Sequence, residues 1–414
     1  MQILNMDIEN AIKEYGSPLF VILAKTLREN VRLFREEFNS VYPKIEIAYS
    51  YKANSLLGLL RVLHKEGVWA EVASGFEYEI ARLLDVPGDK IVFNGPYKRK
   101  EELFRAVEDG ALINVDHWRE IELLEEISSQ AGRVIDIGVR VRVNPGINSV
   151  DRFGFDLESG EAESVITRCA KRKVLNVVGL HVHLTSYILE GDISEGAITA
   201  RKIRLIWPKD HNLYRNALIR IVEFSNRLKE RFGITLDYLD VGGGFPGVGE
   251  KLRDYVLAVS EPVLKGLREK LPTVILEPGR ALVKNAMHLV ATVVGTKQLG
   301  GGRIGVVVDA GINLLPTSLW SGQEVEALVE NRGEEYEVIL YGPLCLQTDI
   351  VAVTRLPELK AGDRLIVKNV GAYNFSQSTQ FIFPRPAVLL VDDGKYEVIR
   401  RAETLEDLQV FEKL

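Results

Sequence analysis

Six short stretches of this sequence hold residues that can do chemistry, and most of them follow a Val- or Ile-rich run. Tyr49-Ser-Tyr-Lys-Ala-Asn54 places Lys52 just after such a run. A lysine there can form a Schiff base with a carbonyl cofactor, and pyridoxal phosphate is the commonest cofactor that needs one. Taken alone, a lysine after a strand is usually a solvated surface charge. Asp240-Val-Gly-Gly-Gly-Phe-Pro-Gly247 carries three consecutive glycines, which admit close backbone approach and leave N–H groups able to cradle a phosphate. Glu277-Pro-Gly-Arg280 sets a carboxylate and a guanidinium on either side of Pro278 and Gly279. Arg280 suits bidentate phosphate contact, and Glu277 could hold a proton on a pyridine nitrogen. A protonated pyridinium draws in the electron pair left on an α-carbon when CO2 departs. The plainer reading of each pair is a structural ion pair.

His181-Val-His183-Leu-Thr-Ser186 puts two histidines on one face of a strand, where they could ligate a metal or pack on a cofactor. No acidic or cysteine partner stands at metal-ligand spacing in the sequence. An imidazole stacked on a cofactor ring, with Ser186 on its phosphate, fits better, and no metal is expected. Gly342-Pro-Leu-Cys345-Leu-Gln-Thr-Asp349 offers a cysteine in a turn as acid or base, although an isolated thiol is usually packing. Gly371-Ala-Tyr373-Asn presents a tyrosine hydroxyl from a tight turn.

The elements that must position these groups follow a simple rhythm. From about residue 26 to 283, eight apolar runs (Ile45 to Tyr51, Trp69 to Val72, Lys90 to Phe93, Leu112 to Val115, Asp136 to Val143, Val177 to Leu184, Leu236 to Val241 and Thr273 to Leu276) alternate with helical segments. Phe76 to Leu84, Arg99 to Asp109 and Trp118 to Ser129 are examples of those segments, with apolar residues every three to four positions. Eight such units favour a closed (β/α)8 barrel, in which active residues lie where strands end. From about Lys284 the chain turns β-rich, with strands expected at Ile304 to Val308, Tyr336 to Tyr341, Arg364 to Lys368 and Ala387 to Val391. The extended run Pro18 to Leu23 could add a strand to that second domain, giving a barrel over 26–283 and a discontinuous β-rich domain from 1–25 and 284–414. Leu189 to Tyr214 is too long for a simple βα loop and forms either a surface excursion or a specificity lid.

Composition narrows the function. The chain has 414 residues with 52 basic and 58 acidic side chains, and no Lys/Arg block of the kind that neutralises phosphates, so nucleic acid is not the expected partner. Two cysteines, Cys169 and Cys345, exclude a disulfide framework and a cysteine zinc site. Neither a leader pattern at the start nor an apolar run of ~18 residues occurs, so a cytoplasmic protein without membrane contact, acting on a small molecule, is expected.

Taken together and in order, the stretches resemble the fold-type III pyridoxal-phosphate decarboxylases, the family of diaminopimelate and ornithine decarboxylases. The resemblance runs over almost the whole chain: Tyr51-Lys52-Ala-Asn54, Glu71-Val-Ala-Ser74, Arg142-Val-Asn-Pro145, Arg152-Phe-Gly-Phe155, His181-Val-His183, Asp240-Val-Gly-Gly-Gly244, Glu277-Pro-Gly-Arg280, Gly342-Pro-Leu-Cys345 with Asp349, and Gly371-Ala-Tyr373. It implies an α/β barrel with a β-sandwich or β-barrel domain, as in alanine racemases, assembled as a head-to-tail homodimer with shared active sites. Lys52 would carry the cofactor, His183 would stack on its ring, and Glu277 would face the pyridine nitrogen. Ser186, Gly243, Gly244, Arg280 and Tyr373 would hold the phosphate, with Glu71, Arg142 and Gly279 in the same cofactor site. Cys345, from the partner subunit, would protonate the α-carbon. An alanine racemase would instead set arginine against the pyridine nitrogen, and Glu277 speaks against that.

The departures concern the substrate. Ornithine-type enzymes have acidic residues where this chain has Ala310 and Leu346, and diaminopimelate-type enzymes have an acidic residue beside the cysteine and an arginine in the segment matching Asn313 to Trp320. Glu71 stands where the family usually has aspartate, and Thr185 where diaminopimelate enzymes have glycine. With Leu346, Trp320, Ala310 and Asp349 as pocket residues, these departures point to a non-standard or conjugated amino acid. Diaminopimelate is the alternative substrate, and a catalytically inactive regulatory homologue the alternative of another class.

Overall fold

The computed structural model describes residues 6–144, 149–184, 187–189, 205–206, 210–249, 251–268, 270–329 and 333–412. By its internal contacts the chain divides into two compact units, Val31–Tyr51 with His64–Ala281, and Met1–Asn30 with Lys52–Leu63 and Leu282–Leu414. Among the described residues, no helix is long and apolar enough to cross a membrane.

The first unit is a closed parallel barrel. Its strands are β1 (Ile45–Ser50), β2 (Trp69–Val72), β3 (Ile91–Phe93), β4 (Leu112–Val115), β5 (Ile135–Arg142), β6 (Leu175–His181), β7 (Tyr238–Asp240) and β8 (Thr273–Leu276). They pair in the order β4-β3-β2-β1-β8-β7-β6-β5, and β4 closes the ring on β5. Strands covered on both faces read as continuous apolar runs rather than alternating ones, which is why Val and Ile dominate them. Ala48, Val92, Tyr238 and Ile275 meet in the interior. The outer helices begin and end where local chemistry dictates. Asp210 caps His211–Phe232 by accepting from the Asn212 N–H, and Gly233 ends that helix in the left-handed region. In the excursion expected from Leu189 onward, the described parts form a small antiparallel sheet in which Tyr187–Leu189 pairs with Leu205–Ile206 and with Ser149–Val150.

The second unit is a nine-stranded mixed sheet. The strand Leu19–Leu23 runs antiparallel to Met287–Gln298 and parallel to Val388–Asp392. Leu19, Val21, Val290, Ile366, Leu389 and Val391 pack there with Ile8 and Ala11 of the first helix. The division of the chain departs from the sequence boundaries at residues 26–30 and 282–283, which belong to this unit, and at Lys52–Leu63, which clusters with this unit and not with the strands around it. The Asn54 amide donates to the Gly371 carbonyl at 2.9 Å, and that bond helps tie the segment there.

Candidate active site

All eight barrel strands point one way, so their C-terminal residues gather at one end. There the barrel assembles groups from four strands: Glu71 from β2, His181 with His183 beyond it from β6, Asp240 from β7, and Glu277 directly after β8. Their proximity is set by strand order, since Asp240 sits level with both His181 and Ile275. Glu71, Asp240 and Glu277 are each at most 1% exposed, so three carboxyls share a site shielded from bulk solvent. Burial, and then the neighbouring Glu277, push the Asp240 carboxyl well above the usual carboxylate range.

The partners of these carboxyls come from the next strands round. Asn94, one residue past β3, donates to Glu277 Oε1 at 2.5 Å and to Glu71 Oε1 at 3.2 Å. Asn114, on β4, donates to Asn94 Oδ1 at 2.9 Å and to Asp240 Oδ2 at 3.1 Å. The Tyr238 hydroxyl donates to Asn114 Oδ1 at 2.9 Å. Sequence reasoning passed over Asn94, Asn114 and Tyr238 because none stands in a recognisable motif. A faint signal existed in Gly138 and Gly179, glycines inside strand-like runs, which mark a place where something bulky approaches the backbone.

The glycine run lies against this cluster. Gly242 has φ +66°, and a Cβ there would collide with the His183 ring, while one at Gly243 would meet the Glu277 carbonyl oxygen. The Gly243 N–H donates to His183 Nδ1 at 3.0 Å. That bond orients the imidazole. Gly244 is the exposed glycine of the run, and Arg280, just past the buried Gly279, is exposed as well. Arg142, expected beside the cofactor, has its guanidinium bound to Asp156 Oδ2 at 3.1 Å and to the Asp151 carbonyl at 2.9 Å. Ser186 and Thr185 lie outside the described residues.

His181, His183 and Glu277 bring three possible ligand atoms within 4.8 Å of one another, so the acidic partner missing from the sequence spacing is supplied by another strand. The lone pair of His183 Nδ1, however, already accepts the Gly243 N–H. This favours an oriented ring over a metal ligand.

The other unit holds the remaining expected residues. Lys52 lies in the helical turn Tyr51–Ala53 that directly follows β1. One residue on, the Ala53 carbonyl accepts from the Tyr373 N–H at 2.8 Å, so the turn after Lys52 and the Tyr373 turn are joined. Cys345 and its neighbour Leu346 are exposed, as is Trp320. Asp349 and Ala310 are not open to a ligand: both are buried, and the Asp349 oxygens accept the N–H groups of Ile312 at 2.8 Å and Leu344 at 2.7 Å. Asp349 therefore braces the turn that carries Cys345.

The barrel's donor set suits pyridoxal phosphate: a buried carboxyl for the ring nitrogen, an oriented imidazole beside it, and a glycine loop that no side chain could replace. The comparisons agree. Residues 25–202 and 208–284 match the family model for the pyridoxal-binding domain of pyridoxal-dependent decarboxylases. The diaminopimelate decarboxylase of Bacillus subtilis is 29% identical over 99% of this chain and 94% of its own length. That of Aquifex aeolicus is 30% identical over 97% of this chain and 93% of its own. The crystal structure of diaminopimelate decarboxylase from M. jannaschii in complex with L-lysine superimposes with a TM-score of 0.86 at 29% identity, covering 99% of this chain and 94% of that one. A match of this extent shows the family, and with it the cofactor and the reaction class: the chain belongs to the fold-type III decarboxylases, which use pyridoxal phosphate to remove CO2 from an amino acid.

Proposed function

We propose that this enzyme decarboxylates diaminopimelate. The observation that carries this reading is similarity along nearly the entire chain, at 29 to 30% identity, to diaminopimelate decarboxylases from two organisms. The M. jannaschii relative holds L-lysine in its crystal structure, and lysine is what remains when diaminopimelate loses one carboxyl group as CO2. The conjugated substrate expected from Leu346, Trp320 and the arginine-free segment 313–320 is the weaker reading, because those departures involve few positions and the similarity spans both units.

Pyridoxal phosphate, when bound, supplies the electron sink for the pair released as CO2 leaves. The protein's part is to hold and to move protons. Lys52 is the residue on which the cofactor is carried. Glu277, buried and held by Asn94, would keep a proton on the pyridine nitrogen, and His183, fixed by the Gly243 N–H, would cover the ring. With the cofactor bound, Gly244, Arg280, Tyr373 and Ser186 would hold its phosphate. Cys345, exposed in a turn braced by Asp349, donates the proton that replaces the lost carboxyl. We read the enzyme as a cytoplasmic homodimer in which this thiol is Cys345 of the partner subunit.

The test is CO2 release from the cofactor-loaded enzyme with diaminopimelate, lysine, ornithine, arginine and larger conjugated amino acids, beside a Lys52→Ala control. Preferred turnover of diaminopimelate, abolished in the control, is expected. Turnover confined to a larger substrate would overturn the assignment and make Leu346 and Trp320 the basis of specificity.

A further inference from the structure

The chain Tyr238–Asn114–Asn94 ends on Glu277 and has a direction. A buried phenol that donates to Asn114 Oδ1 at 2.9 Å obliges the Asn114 NH2 to point the other way, at Asn94 Oδ1 and Asp240. Asn94 then has its own NH2 turned toward Glu277 and Glu71. Tyr238 can begin this chain because burial holds its phenol protonated well beyond the usual range. The barrel is shaped around it. A Cβ at Gly138 on β5 would strike Asn114 Oδ1 and the Tyr238 hydroxyl, and one at Gly179 on β6 would strike the Tyr238 ring. Two strands thus lack side chains where the relay passes.

We propose that Asn94, oriented by Asn114 and Tyr238, is a positioning residue that keeps Glu277 in the anionic form needed to hold the proton on the cofactor's pyridine nitrogen. The inference rests on the role of Glu277 given above and is independent of which amino acid is decarboxylated. The charged and titratable groups facing Glu277 are Glu71, Asp240, His181 and His183. Asp240 accepts the Asn114 amide at 3.1 Å and the Gly242 N–H at 3.0 Å, yet burial and then Glu277 push its carboxyl toward the neutral form, so the negative charge of the cluster settles on Glu277, to which Asn94 donates at 2.5 Å. A network that served only to satisfy buried amides would stabilise the fold and leave the cofactor's properties alone.

The experiment uses the full chain, stripped of pyridoxal phosphate and titrated with it. Asn94→Leu keeps the approximate volume and removes the amide. Tyr238→Phe removes one oxygen at the far end, where no cofactor contact is proposed, and Glu277→Gln is the reference. Two quantities are read besides folding by circular dichroism: the Kd for pyridoxal phosphate and the pH midpoint of the bound cofactor's visible band. Asn94→Leu is expected to weaken cofactor binding about tenfold or more, the scale of a lost hydrogen bond to a charged group. Its band midpoint should move in the same direction as that of Glu277→Gln, and Tyr238→Phe should follow with a smaller change. A shifted Glu277→Gln beside unshifted, folded Asn94→Leu and Tyr238→Phe overturns the relay and leaves the role of Glu277 standing. An unshifted Glu277→Gln overturns both. Should Asn94→Leu fail to fold, Tyr238→Phe decides.

Discussion

The Tyr51 hydroxyl lies 2.6 Å from Nε2 of His64, whose Nδ1 is 2.8 Å from the Val68 carbonyl. A carbonyl only accepts, so Nδ1 carries the hydrogen and Nε2 takes the phenol proton's bond. Burial lowers the His64 pKa and keeps this ring neutral. Because Tyr51 directly precedes Lys52, the pair anchors the start of the turn that bears the lysine. His64→Phe leaves the buried phenol without its acceptor and should cost about 1 to 3 kcal/mol, read as a lower urea midpoint. His64→Gln, which restores an acceptor, should recover part of the loss.

Lys98 and Glu120 form an ion pair at 2.9 Å with both side chains fully buried. The ammonium also donates to the Gly95 and Asn114 carbonyls, and Glu120 Oε2 accepts the Asp116 N–H. Every strong partner is present, so removing one charge strands the other. Lys98→Met is expected to destabilise by about 3 to 5 kcal/mol, whereas Lys98→Met with Glu120→Leu should cost much less. A double-mutant cycle in urea measures this, and equal losses in the single and double variants would contradict it.

The carboxylate of Asp349 joins the turn at Ile312 to the turn at Leu344, next to Cys345. Asparagine in its place would set an NH2 against a backbone N–H. Asp349→Asn should lose about 1 to 3 kcal/mol and loosen the Cys345 turn. The check is faster alkylation of Cys345 at unchanged protection of the buried Cys169, together with a lower kcat.

His288, buried in the β-rich unit, is lowered from 6.5 to about 4, first by burial and then by Lys368. A histidine kept neutral in the fold binds its proton more readily when unfolded, so its contribution is present above pH 6.5 and lost as the pH falls toward 4. The loss should be on the order of 3 kcal/mol across that window. Denaturation of the wild type and of His288→Leu at several pH values isolates it: the variant's curve should be flatter between those limits.

How far the molecule is legible in its sequence differs from residue to residue. Lys52, His183, Glu277 and Arg280 stand at or beside strand ends because parallel βα units leave their reactive residues there, and the strands announce themselves as apolar runs of the right length. Motif and periodicity are local properties, and the sequence alone determined the barrel, the β-rich unit and the cofactor. Pairings across the barrel are not local. That Glu277 meets the two histidines, that Asn94 and Asn114 carry the orientation of Tyr238 toward it, and that the Gly243 N–H turns to His183 all follow from strand order around a closed ring. Asp349 makes the same point in the other unit. The resemblance marked it as a pocket residue, and only the tertiary structure shows both its oxygens given to backbone N–H groups of two turns, since a buried carboxylate must find donors wherever the fold places them.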